Sequence, residues 1–146
     1  MKLFTILMRR VSVAVFVTLS FAAAAQEKLY RVNSKDVGWN TIDLTITEMK
    51  RTARTSELKI PHYNNRTSVE ARFAMCAFTD HAFQRRFAVW IVSDGSHTED
   101  VVVVGFLKSE DEDAKTVLGE RFIGDKVLRA NARVINRMCG IKEPSD

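Results

Sequence analysis

The stretch FAVWIVSDGSHTEDVVVVGFL, residues 87–107, decides how the rest of the chain is read. Its two ends, 87–92 and 101–107, are unbroken apolar runs rich in β-branched and aromatic residues. Runs of this kind suit strands in the middle of a sheet, buried on both faces, whereas a strand with one wet face alternates. Between them Asp94 and Gly95 supply a dipeptide suited to a tight turn. The stretch therefore predicts an antiparallel hairpin at the centre of the fold.

On the N-terminal side, Ile42, Leu44 and Ile46 alternate with Thr41, Asp43, Thr45 and Thr47, the pattern of a half-buried strand over 41–47. Short strands are expected at 29–32 and at 58–60, the second stopped by Pro61, with the polar, Arg-rich segment 49–57 as a mobile hairpin connection. Residues 67–86 contain neither Gly nor Pro, and Thr67 and Glu70 stand at capping-box spacing, which predicts a helix over 68–86. Val69, Ala71, Phe73, Met75 and Ala77 also alternate as in a strand, so a strand is the competing reading. On a helical wheel the apolar residues fall in two bands, one with Val69, Phe73, Cys76 and Phe83, the other with Ala71, Met75, Phe78 and Ala82. Such a helix must be buried on two sides.

On the C-terminal side, 115–123 carries no decisive pattern, and a helix is expected over 125–139, capped by Asp125 and ended by Gly140. Val127, Leu128, Ala132, Val134, Ile135, Met138 and Cys139 form its apolar stripe, and Lys126, Arg129, Arg133 and Arg137 its basic side. The expected architecture is α+β, an antiparallel sheet of about four strands with two helices packed on one face.

The chain starts with Lys2, Arg9 and Arg10, an apolar run over 11–21, and Ala22 to Ala25 before Gln26. Charged region, apolar region and small-residue cleavage site in that order are the signature of a signal peptide, here 1–25. The apolar stretch to Ala25 is shorter than the about 20 residues a membrane-spanning helix needs. A single soluble domain then covers 26–141, with 142–146 a frayed tail and no transmembrane segment after cleavage. Of the 22 Lys and Arg, three leave with the leader, so 19 face 18 Asp and Glu and the net charge falls from +4 to +1. The basicity belongs largely to the leader, which removes the case for nucleic-acid binding.

Cys76 and Cys139 are the only cysteines. In a chain bound for an oxidising compartment an even count reads as a disulfide, and both fall on apolar faces of expected helices. Closing so long a loop is worth on the order of 4 kcal/mol.

No metal, cofactor or nucleophile motif is present. His62, His81 and His97 are not at ligand spacing, and there is no G-x-S-x-G elbow. Asp94, His97, Glu99 and Asp100 read as a hydrated hairpin tip, and Glu110 to Asp113 as a solvated acidic loop. Asp80 and His81 are adjacent on the helix, so their side chains diverge by about 100° and do not form an acid–base pair. The basic side formed by Lys126, Arg129, Arg133 and Arg137 is a solvated face open to contact with an anionic envelope surface.

The order of a capped Ala-rich helix (Thr67, Ser68, Glu70), a strand with aromatic core residues (Phe87, Trp90) and a Val-rich strand resembles small bacterial cell-envelope domains, some of them lipoproteins. The resemblance covers 64–107, and this chain has no lipid-attachment cysteine. It implies an envelope location. With an export signal and no chemistry, the expected function is a non-catalytic periplasmic or secreted binding or interaction module, with an envelope protein or anionic surface as partner. A small envelope hydrolase with a dispersed active site, and a secreted inhibitor or effector, are the alternatives.

Overall fold

A computed structural model describes residues 27–93 and 100–143. Six strands, β1 (Arg31–Asn33), β2 (Thr45–Arg51), β3 (Thr55–Lys59), β4 (Val89–Ser93), β5 (Val101–Leu107) and β6 (Val127–Asn131), form one antiparallel sheet in the order β1-β2-β3-β5-β4-β6. Three helices accompany it: α1 (Ser68–Gln84), α2 (Ala114–Leu118) and α3 (Ala132–Cys139).

The central hairpin stands as expected. β4 and β5 pair antiparallel, Trp90 opposite Phe106 and Ile91 opposite Gly105, and both occupy the middle of the sheet. Their unbroken apolar runs follow from burial on both faces. Trp90, Val92, Val102, Val104 and Phe106 join the main core beneath α1 and α3. Val89, Ile91, Val103 and Leu107 face the other way, into a smaller cluster with Ala114 and Leu118 of α2. A Cβ at Gly105 would lie 2.8 Å from the Ile91 side chain and 3.1 Å from that of Leu118, so glycine is what lets α2 lie close on this face.

α1 begins as the sequence predicts. The Thr67 side chain accepts from the Glu70 amide while the Glu70 carboxylate accepts from the Thr67 amide. Phe73, Cys76 and Phe83 of the first band are buried, and so are Phe78 and Ala82 of the second. A two-sided burial of this kind is what the two apolar bands demanded.

Several expectations need correction. The sheet has six strands rather than about four, and α2 covers the second face, so the helices are not two on one side. The half-buried strand starts at Thr45 and continues to Arg51, and β3 starts at Thr55. The segment expected to be mobile is thus most of a tight hairpin, held by Thr52 N–H donating to Thr55 O. The last helix spans only Ala132–Cys139, because Val127–Asn131 pairs with β4 as an edge strand. Its N-cap is Asn131, whose side chain accepts from the amides of Arg133 and Val134, and Gly140 ends it in the left-handed conformation. Propensity alone gives no reason to stop the helix there, and pairing with β4 overrides it. The leader at 1–25 and the Asp94-Gly95 turn lie outside the described residues.

Candidate functional site

Two polar groupings lie on either side of the Tyr30 ring. The first is buried. Glu48, on β2, has no exposed side-chain surface. Its carboxylate accepts from the Tyr30 amide at 2.8 Å, from Arg51 Nε and Nη2 at 2.9 and 2.6 Å, and from the Ser56 hydroxyl at 2.6 Å. His81, from α1, places Nε2 at 2.9 Å from Ser56 Oγ and 3.4 Å from Glu48 Oε1, and its ring stacks on Tyr30 at 4.5 Å between centroids. Arg85, one turn further on, donates to Ser56 Oγ and to the carbonyls of Thr52, Ala53 and Thr55, with its guanidinium over the Phe106 ring. Arg85 therefore holds the tip of the β2–β3 hairpin against the end of α1.

Burial alone would raise the Glu48 carboxyl, but the hydrogen bonds from Arg51, Ser56 and Tyr30 outweigh it and hold the group at about 2. Burial pushes His81 down to about 4, with the Glu48 charge opposing and the Arg85 and Arg51 charges adding. A neutral imidazole carrying its proton on Nε2 fits these partners, since Ser56 Oγ then accepts from His81 and Arg85 and donates to Glu48.

Ser, His and Glu in contact invite comparison with a catalytic triad. In a triad the base stands between nucleophile and carboxylate, bonded through opposite ring nitrogens. Here Ser56 and Glu48 share Nε2, Nδ1 has no partner among the described residues, and His81 and Ser56 are fully buried. The grouping is a structural clamp.

The second grouping is open. A cleft of about 280 Å³ lies between α1, the residues around β1 and the end of α3. Val37 and Trp39 form one wall, Phe73 and the Cys76–Cys139 disulfide another, and Tyr30 and Asp80 close it. Trp39 meets Phe73 edge to face at 5.8 Å. Asp80 is half-buried, and its Oδ2 accepts from Gln84 Nε2 at 2.9 Å. Among the described residues the buried Tyr30 hydroxyl has no hydrogen-bond partner, and burial and the neighbouring Asp80 charge push it up. Burial raises Asp80 above the ordinary Asp range, with Tyr30 and Gln84 pulling the other way. Among the described residues no Lys, Arg or His forms an ion pair with Asp80.

The disulfide forms as expected, with the Cα atoms 5.6 Å apart, and joins α1 to the last residue of α3. The basic side does not assemble. Lys126 and Arg129 precede the helix, and Arg129 donates to the carbonyls of Glu110 and Glu112. Only Arg133 and Arg137 remain on α3, and Arg133 pairs with Glu143 at 3.4 Å. The strand at 127–131 removes the one-helix geometry behind that reading. The acidic run is likewise used internally: Glu112 pairs with Arg54 at 2.6 Å and Asp113 caps α2. Among the described residues no three His, Cys, Asp or Glu side chains converge as metal ligands.

Neither grouping was found from the sequence. Asp80 and His81 are neighbours in sequence, and their divergence is what sends one to the cleft and the other to the clamp. Trp39 stood outside every periodic pattern, and a large aromatic in a Gly-flanked turn was the available signal. No protein-family model, curated protein or solved structure matches the chain. Its geometry alone bears the functional reading.

Proposed function

We propose that this chain is an exported, non-catalytic binding module, periplasmic or secreted, whose ligand site is the cleft walled by Trp39, Phe73 and the disulfide. The observation behind this reading is the cleft itself: a concave, mostly apolar and aromatic site with a single half-buried carboxylate, the usual make-up of a small-ligand pocket. At about 280 Å³ it sits just under the about 300 to 1,000 Å³ of drug-sized sites, which points to a small ligand. The leader at 1–25 and the disulfide joining the only two cysteines support export into an oxidising compartment.

The two tryptophans supply the test. Trp90 is fully buried with its indole N–H on Thr79 Oγ1, while Trp39 lines the cleft. In ¹⁵N-labelled protein titrated with small aromatic fragments, the Trp39 indole signal is expected to shift while that of Trp90 stays. Shifts confined to residues away from the cleft would remove it as the site.

A further inference from the structure

We infer that the ligand of this cleft is a small organic cation, an aromatic or apolar amine, with Asp80 as its counter-ion. The inference rests on the binding-module reading above and deepens it.

Its starting point is an asymmetry in how the domain treats its carboxylates. Glu48, Glu57, Glu112 and Asp43 each have an arginine or lysine within salt-bridge distance, and the partly buried Glu70 and Asp100, with no ion pair among the described residues, accept from the backbone amides of Thr67 and His62. Asp80 is more deeply placed than Asp43, yet among the described residues no cation pairs with it. Its neighbours are one amide donor, one tyrosine hydroxyl and the apolar cleft. A carboxylate withdrawn from water without a cation is costly, and a cation arriving from outside relieves that cost.

The walls suit the same ligand. Trp39, Phe73 and Tyr30 all line the cleft. Aromatic faces attract ammonium groups through the ring quadrupole, most strongly when water is excluded. Arg72, which does not line the cleft, lies 5.9 Å from the Trp39 ring centre. An anionic ligand would meet the Asp80 charge with no facing cation, and a neutral apolar one would leave that carboxylate unpaired. The remaining walls, Val32, Val37, Ala77 and Ile141, match an apolar body behind the charge.

Two probes of nearly equal size and shape separate the charge from the body: phenethylamine, cationic at pH 7, and 2-phenylethanol, neutral. Binding to the oxidised protein is followed at low salt by the Trp39 indole signal. The expected result is that the amine binds at least about tenfold more tightly than the alcohol, as a buried counter-ion implies. In Asp80→Asn the two affinities are expected to converge, the amine's falling toward the alcohol's. The wild-type ratio is decisive even where that variant fails to fold. Equal affinities for amine and alcohol would overturn the cation inference while leaving the cleft a binding site. Failure of both probes to move Trp39 would overturn the cleft reading along with it.

Discussion

Glu48 and Asp80 stand on opposite sides of Tyr30 and are treated in opposite ways. Glu48 is sealed from water, takes four hydrogen bonds and has its carboxyl held at about 2. Asp80 faces a cleft, pairs with no cation among the described residues, and has its carboxyl raised by burial. Paired and buried, a carboxylate locks two strands and a helix together. Half-buried and without such a partner among the described residues, Asp80 lines a cleft instead. Ordinary residue types thus separate structural from receptive chemistry within one turn of α1, because His81 points to the sheet and Asp80 to the opening.

The largest effect is expected from breaking the first side. Glu48→Gln leaves Arg51 and the His81–Ser56 pair around a neutral amide, and losing one partner of a buried charged network costs about 3 to 5 kcal/mol. Urea denaturation at pH 7 measures it. A loss under about 1 kcal/mol, the range of exposed pairs, would show that water reaches the clamp and that the contrast with Asp80 is overstated.

Next is the disulfide, which belongs to the open side as a wall of the cleft. Closing a loop with a sequence separation of 63 residues constrains the unfolded chain by about 4 kcal/mol, native strain aside. The double variant Cys76→Ser, Cys139→Ser is expected to lose most of that in thermal or urea unfolding. Where it stays folded, it should bind amine and alcohol probes more weakly alike, since it loosens the wall and leaves the charge in place. Two free thiols in denatured, unreduced protein from the exported fraction would show that the bond does not form.

Acid separates the carboxylates by sign. His81 in the folded protein sits at about 4 against an ordinary 6.5, so the unfolded chain takes its proton first, and stability falls as pH drops from about 6.5 to 4. Glu48 at about 2 against 4.5 contributes stability that is complete above about 4.5 and lost as pH falls toward 2. Asp80 runs the other way, since its raised carboxyl opposes folding at neutral pH and the opposition is relieved on protonation. The melting temperature should therefore decline from just above pH 6 in two overlapping stages, His81 first. His81→Gln is expected to remove the upper stage, on the order of 2 kcal/mol between pH 7 and 5, and to leave the lower. An unchanged upper stage in that variant would assign it to another group.

The centre of the fold was open to reading because residues 87–107 have one interpretation: an unbroken Val-rich run is sterically and energetically a doubly buried strand, and it carried the α+β class with it. The capping box at Thr67 and Glu70 was equally local. What could not be read depended on partners distant in the chain. Val127 to Asn131 has helical spacing and becomes a strand because β4 offers an unpaired edge. Arg51, Arg54 and Arg85 look solvated until the hairpin tip, Phe106 and Glu48 are placed around them. Asp80 belongs to a cleft whose walls come from residues 30–39, 73–80 and 139–141, three segments that only the folded chain brings together.

Removing the Asp80 charge is expected to change stability least. Asp80→Asn keeps an oxygen for the Gln84 and Tyr30 groups and removes the charge that burial disfavours. At pH 7 the variant is therefore expected to be as stable as the parent or more so, by under about 1 kcal/mol, as for substitutions that break no paired network. Glu48→Gln, the same chemical change one ring away, goes strongly the other way. Urea denaturation of the two variants side by side gives the sign directly. A loss of several kcal/mol for Asp80→Asn would mean that its charge is satisfied within the fold and that nothing there awaits a cation. Near-neutral stability with a lost preference for amine over alcohol would separate a residue kept for binding from one kept for folding.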